Sequence, residues 1–487
     1  MSSSAVLIDI TTSGISTRAF VSPTLDGSAI TFWRFNAVKH TPFAVEPFNY
    51  QATGGVPALG ASSVKFRVPR NGDLVWSTWL KMTLPGIATN GGGDPEVSLA
   101  TTVANSAMYV NGVAQAVLQR VKLNIGGQKI DELTFRAACF WEELSGQPGK
   151  RLGESIGFFE TDAERRLASR YAQELYVPLQ FSFSNHTGLA LPIVSLQFHA
   201  VDIEVDFHGA ATILDGNAAV TPATVLKANA GVVDPGAIAV ADNFTTGLSN
   251  SDLTCEVESF LVYLDHDERS KFAMGSFEQV IQQFQLNDDT ISGTGATGTN
   301  AELGQGQASK RIRLNLNHVV KEYIVGVRPA LYYETGEDPE ADVRNGAAVP
   351  TNNMDFRGLA ADSAGMLFGE PASVLPKDPI ATMRVLFNNQ ERVSEKSGKF
   401  FRLVTPWVVH TNLPDRFLYV WSYAVDPEDP NPSGGANHSR IDTVELDITL
   451  DGRNFGGVQG TAGIHVVAVS NNVIKYAHGL ASLRFGS

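Results

Sequence analysis

Residues 121–131 read VKLNIGGQKID, and apolar Val121, Leu123 and Ile125 alternate with polar Lys122 and Asn124. A period of two buries one face of an extended strand. Gly126-Gly127 follows. Two consecutive residues that accept positive φ make a two-residue hairpin, here returning through Gln128, Lys129 and Ile130. The construction recurs at Met383, Val385 and Phe387, with Asn388-Asn389 as the turn and Gln390 after it. Asn is the next residue type after Gly to tolerate positive φ. Gln128 and Gln390 lie 390 − 128 = 262 positions apart in a chain of 487. That spacing predicts an internal duplication of a β unit.

A second observation supports it. Val201, Ile203, Val205 and Phe207 alternate with Asp202, Glu204 and Asp206, and Val444, Leu446, Ile448 and Leu450 alternate with Glu445, Asp447 and Thr449. Each half thus has a late strand with acidic residues outward. Strands at 74–84 and 323–327 each precede a long irregular loop, 85–108 and 329–379. Hydrophobic residues make up 43% and charged residues 18%, which fits a globular chain, and 45 Gly and 23 Pro favour many turns. The fold predicted is all-β: two tandem eight-stranded jelly-roll β-sandwiches with long apical loops and a few short helices. An N-terminal arm spans 1–25, the first jelly roll 26–208, a loop and interdomain linker 209–252, and the second jelly roll 253–487.

In finer detail, strands are expected at 30–35, 64–68, 176–183, 193–207, 255–264, 400–404, 417–425 and 464–470. Helices are expected at 133–144 and 162–173, with a helical turn at 265–274. Trp76, Leu80, Met82 and Leu84 are expected on one face of their strand.

The net charge of −14 repels phosphate backbones and argues against direct nucleic-acid contact. Cys139 and Cys255 sit among apolar neighbours and read as buried thiols of a chain made in a reducing compartment. The N-terminus lacks the basic start and apolar run of a signal peptide, and no stretch reaches the length of a membrane span.

Six motifs, in order from Ile30 to the C-terminal region, resemble the double jelly-roll major capsid proteins of nucleocytoplasmic large DNA viruses, such as phycodnaviruses and iridoviruses. They are Ile30-Thr31-Phe32-Trp33-Arg34; Arg70-Asn71-Gly72-Asp73-Leu74; Ile125-Gly126-Gly127-Gln128-Lys129-Ile130-Asp131; Gly188-Leu189-Ala190-Leu191-Pro192 with Leu196-Gln197-Phe198-His199; Arg313-Leu314-Asn315-Leu316-Asn317-His318; and Ser439-Arg440-Ile441-Asp442. The resemblance implies a structural subunit of the virion, not an enzyme and without a cofactor. It implies homotrimeric, pseudo-hexagonal capsomers that tile an icosahedral shell assembled in the host cytoplasm. The implied partners are neighbouring capsomers, minor capsid and penton proteins, and an internal viral membrane beneath the shell.

Chemistry-bearing patterns weigh less. Gly293-Thr294-Gly295-Ala296-Thr297-Gly298 has dinucleotide-binding spacing but no helix pattern after it. The ten histidines contain no close His-x-His pair, and His199 and His318 read as strand residues. Glu142 and Glu143 are adjacent on a helix and point apart, so they cannot flank one glycosidic bond. Asn185, Asn243 and Asn437 begin sequons that matter only on exposure to a glycosylation pathway. The alternative function is a double β-sandwich carbohydrate-binding or carbohydrate-active protein, which needs paired carboxylates or an aromatic platform. The scattered tryptophans Trp33, Trp76, Trp79, Trp141, Trp407 and Trp421 read instead as core.

Overall fold

The first half folds into β1 (Phe43–Tyr50), β2 (Val64–Arg67), β3 (Leu74–Leu84), β4 (Leu118–Ile125), β5 (Gln128–Thr134), β6 (Gln173–Pro178), β7 (Val201–Phe207) and β8 (Thr254–Leu264). The second half supplies β9 (Phe277–Ser292), β10 (Gln307–Arg313), β11 (Val319–Pro329), β12 (Ile380–Phe387), β13 (Gln390–Ser397), β14 (Leu418–Ser422), β15 (Val444–Asp451) and β16 (Thr461–Ala477). The computed structural model describes residues 40–61, 63–89, 108–146, 150, 152–159, 162–215, 225–228, 244–292, 307–329, 343–344, 347–348, 378–414, 417–451 and 461–486. The expected arm, the strand at 30–35 with Trp33, Asn243 and the Gly293–Gly298 pattern lie outside them, as does most of the two long loops.

The sheets of the first half run β1-β8-β3-β6 and β2-β7-β4-β5; those of the second run β9-β16-β11-β14 and β10-β15-β12-β13. Adding eight to each strand number of one half gives the other. The duplication therefore holds strand for strand, and each half is an eight-stranded jelly roll. Both hairpin turns take positive φ at both residues, 60° and 83° at Gly126-Gly127 and 50° and 63° at Asn388-Asn389. Even an irregularity is shared. Trp76 and Lys321, each the third residue of its strand, are skipped in the pairing with β8 and β16, a β-bulge in both rolls. The bulge also slips the alternation. Val75 is buried and Trp76 half-buried, so Trp76 does not share the face of Leu80, Met82 and Leu84.

The division between the rolls differs from the expected 253. The strand Thr254–Leu264 pairs with β3, so it closes the first roll, just as β16 closes the second. The segment 209–252 is not all loop, since 225–228 pairs with both 87–89 and 244–246. Residues 277–292, whose polar-rich sequence QVIQQFQLNDD hides its extended form, make a strand of 16 residues because β16 pairs along its whole length. Residues 400–404 form a π-helical turn instead of a strand, leading into the helix Thr405–Val409. Residues 193–195 form a 3₁₀ turn, and Ser182–Asn185 is a helical turn, so the strands expected there are shorter.

The sheet β9-β16-β11-β14 is covered on both sides. Ile464, Val466 and Ala468 enter the second roll's core, while Val467 and Val469, with Ile324, Leu418 and Val420, join the core of the first. This explains why 464–469, IHVVAV, is nearly continuously apolar. Cys139 and Cys255 are buried and not joined in a disulfide, and burial pushes the Cys255 thiol well up.

Candidate assembly surfaces

Antiparallel pairing sends the connections β2–β3, β4–β5 and β6–β7 to one end of a roll and the long connections to the other. The motif residues gather at the short-turn end. In the first roll, Arg70 Nη1 and Nη2 donate to the carbonyls of Gln197 (2.8 Å) and His199 (3.0 Å). The Gly126 N–H donates to the Ala200 carbonyl, and a Cβ at Gly126 would lie 2.5 Å from the His199 ring. Gly72 is similarly tight against Leu261, at 2.8 Å. Asp73 is buried, accepts from the Leu264 N–H at 2.9 Å and pairs with Arg269 at 3.0 Å. Asn71 and Gln128 are exposed.

The second roll repeats the arrangement with different chemistry. The His318 N–H donates to Ser439 Oγ at 2.9 Å, and the Asp442 carbonyl accepts from Arg313 at 3.4 Å. The Asn317 N–H donates to Gln285, Thr443 N–H donates to Asn388 Oδ1, and Ile441 packs on the core. Asn315 and Arg440 are exposed. His199 and His318 are loop residues, not strand residues; His318 takes φ 65°. On both rolls the acidic late strand is held by bases from its neighbours: Arg120–Asp206 (2.6 Å) and Lys122–Glu204 (3.2 Å), then Arg384–Asp447 (2.7 Å).

Asp131 does different work from the turn residues. It lies where β5 runs beside β9, lining a cleft of about 880 Å³ between the rolls with Lys129, Arg136, Asp288 and His465. Its Oδ1 accepts from the Glu132 N–H at 2.9 Å, and the Phe284 N–H also reaches its carboxylate. Burial dominates these bonds and pushes the carboxyl up to about 7. Nearby, Gln283 Nε2 donates to the Ile130 carbonyl, and Arg136 bonds Asp288 at 3.3 Å.

Sequence reasoning missed the segment after β13. Arg402 pairs with Asp378 at 2.5 Å at one end of it. At the other, His410, whose side chain is fully buried, donates from Nε2 to Glu322 and from Nδ1 to Glu428, each at 2.9 Å. Burial opposes the imidazolium, but the two carboxylates prevail and raise it to about 9. Beyond it, the Asn412 N–H donates to the Leu144 carbonyl of the first roll at 3.0 Å. The helix between these anchors presents Trp407 outward at 76% exposure, so Trp407 is not a core residue. Trp141 is buried, and Trp76, Trp79 and Trp421 are half-buried.

The other candidates find structural partners. Glu142 accepts from Gln115 at 2.6 Å. Asn437 Oδ1 accepts from the Ser439 N–H and caps a 3₁₀ turn, while Asn185 is exposed. Among the described residues no group of three His, Cys, Asp or Glu is placed to hold a metal ion, and no helix is long and apolar enough to cross a membrane.

Known proteins bear on the whole chain. Residues 268–482 match the family model described as large eukaryotic DNA virus major capsid protein, and residues 31–245 match the one described as major capsid protein N-terminus. The major capsid protein of Phaeocystis pouchetii virus is 27% identical, covering 94% of this chain and 96% of that protein. That of Paramecium bursaria Chlorella virus 1 is 26% identical, covering 94% and 95%. Among solved structures, the quasi-atomic model of the PBCV-1 virus capsid superposes with a TM-score of 0.66 at 23% identity, over 94% of this chain and 100% of that one. The Faustovirus major capsid protein gives 0.63 at 13% identity, over 96% and 98%. At these identities the structural likeness establishes the fold.

Proposed function

The chain belongs to the family of large eukaryotic DNA virus major capsid proteins, and from that premise we propose that three copies close into a pseudo-hexagonal capsomer that tiles an icosahedral shell. It is a structural capsid subunit of the virion. The observation that carries the reading is the welding of two equivalent jelly rolls through one doubly covered sheet. A chain built as two similar rolls supplies six to a trimer, which fits a near-hexagonal tile.

The further partners follow from the same reading: neighbouring capsomers first, then minor capsid and penton proteins. The arm at 1–25 lies beneath the capsomer, toward an internal membrane, and assembly takes place in the host cytoplasm. No catalytic role is proposed, and the net charge of −14 supports a shell without direct nucleic-acid contact.

Light scattering on the purified chain tests the trimer. One chain is 52.3 kDa, so three give 3 × 52.3 = 156.9 kDa. A folded monomer would overturn the reading. A chain lacking residues 1–25 should still trimerise yet fail to form shells; loss of the trimer would place the arm elsewhere.

A further inference from the structure

The chain contains four Asn-Gly pairs, at 71–72, 90–91, 111–112 and 345–346, and the first and third lie wholly among the described residues. In such a pair the Gly peptide nitrogen can attack Cγ of the Asn side chain, because Gly carries no Cβ to obstruct the approach and tolerates the backbone angles that ring closure requires. Reaction needs a side-chain amide free to rotate, a Gly N–H that is not already donating, and water at the site.

The fold treats these two pairs in opposite ways. Asn111 is locked: its Oδ1 accepts from the Phe159 N–H at 2.9 Å, its Nδ2 donates to the Phe159 carbonyl at 3.0 Å, and the Gly112 N–H donates to the Gly157 carbonyl at 3.0 Å. Gly112 is also buried. Asn71 stands exposed in the turn between β2 and β3, and among the described residues neither its side chain nor the Gly72 N–H makes a hydrogen bond. The residues on either side are fixed instead. Arg70 donates to the Gln197 and His199 carbonyls, while the Asp73 N–H donates to the Val262 carbonyl and the Asp73 carbonyl accepts from the Val194 N–H. The reactive atoms are left unengaged inside a pinned turn.

We propose that Asn71 is a site of spontaneous deamidation and backbone isomerisation, and that the fold protects Asn111 from the same reaction. The Gly72 nitrogen loses its proton and bonds to Asn71 Cγ. The Cγ–Nδ2 bond breaks, the amide nitrogen leaves as ammonia with a proton in place of that bond, and a succinimide ring remains. Water then opens the ring at either carbonyl. One opening gives Asp at position 71; the other gives isoaspartate, in which the main chain runs through Cβ and Cγ and is one atom longer. Either product adds a negative charge beside Arg70 and the buried Asp73. Because Arg70 and Asp73 are fixed, the longer backbone has to be absorbed by residues 71 and 72, and Gly72 is already tight against Leu261. The end of the roll that carries the motif residues therefore changes charge and shape with age, without an enzyme. The trimeric reading plays no part in this inference.

Peptide mapping of the full-length chain after incubation at pH 6 and pH 8 tests the proposal, with digestion in mild acid so that handling adds no conversion. Asn71 should give a mixture of isoaspartate and Asp, faster at pH 8 because the attacking nitrogen must be deprotonated. Asn111 should convert on the order of 100-fold more slowly in the folded chain, since its bonds to Phe159 and that of Gly112 to Gly157 must break first. In concentrated urea those bonds are gone, and the two sites should react at comparable rates. Asn71→Ser, which has no amide to lose, should fold as wild type by circular dichroism and show no isoaspartate at position 71. An Asn71 that survives intact in the folded chain overturns the assignment, and so does the appearance of Asp without isoaspartate. Equal rates at the two sites in the folded chain, or an Asn111 that lags just as far in urea, overturn the protection assigned to its hydrogen bonds.

Discussion

Replacing Asp131 by Asn should remove a pH dependence built into the junction of the two rolls. The carboxyl is buried, and burial lifts it from 3.8 to about 7 despite the N–H bonds from Glu132 and Phe284. A raised folded-state value means the group's contribution to stability is fully present below pH 3.8 and is lost as pH rises through about 7. At 1.36 kcal/mol per unit, the whole loss is about 4 kcal/mol, and the part falling between pH 5 and pH 8 is about 2.6 kcal/mol. Asn resembles the protonated acid in shape and does not ionise. It should match wild type near pH 4 and exceed it by progressively more up to pH 8. Neighbouring Glu132 and Lys129 are common to both proteins, so their own titration largely cancels in the difference. Urea unfolding at fixed protein concentration, at pH 5 and pH 8, measures that difference. If wild type and Asp131→Asn show parallel pH dependence, the carboxyl is not held neutral at the junction and the reasoning fails.

Two further perturbations bear on the turn end and the exposed helix. Gly126→Ala should cost about 2–4 kcal/mol, combining strain at positive φ with crowding of the His199 ring, whereas Gly127→Ala, with open space around it, should cost about 1 kcal/mol; equal losses in thermal unfolding would refute the packing argument. His410 is raised from 6.5 to about 9, so its support for the segment is present below pH 6.5 and lost as pH rises through about 9, roughly 3 kcal/mol in all. Amide exchange across 405–412, corrected for its intrinsic pH dependence, should accelerate between pH 8 and pH 10 in wild type, and a flat profile would refute the buried imidazolium.

Much of the fold was legible because a sheet with one solvated face imposes alternation. The hairpins at Gly126-Gly127 and Asn388-Asn389, the acidic late strands and the equivalence of 74–84 in one roll to the strand around 323–327 in the other all followed from period two and turn chemistry. The failures have physical causes. In β9, the Gln282 side chain accepts from Asn185, and those of Gln283 and Gln285 donate to the Ile130 and Asn317 carbonyls, so the strand carries no clean apolar stripe. At Trp76 a bulge shifts the register by one and moves the side chain to the other face. In Phe400–Val409 an apolar run was read as a strand, yet its tertiary anchors, Asp378, Glu322 and Glu428, lie far away in sequence and stabilise a helical path. The motif residues were legible as a set of turns, but their convergence at one end of each roll was not, since that depends on strand direction. Trp407 shows the deeper limit. Nothing local separates it from Trp141, because both stand on helices after the fifth strand of a roll. What differs is the surroundings: Trp141 meets Phe284 of β9 edge to face at 5.7 Å, whereas Trp407 stands exposed.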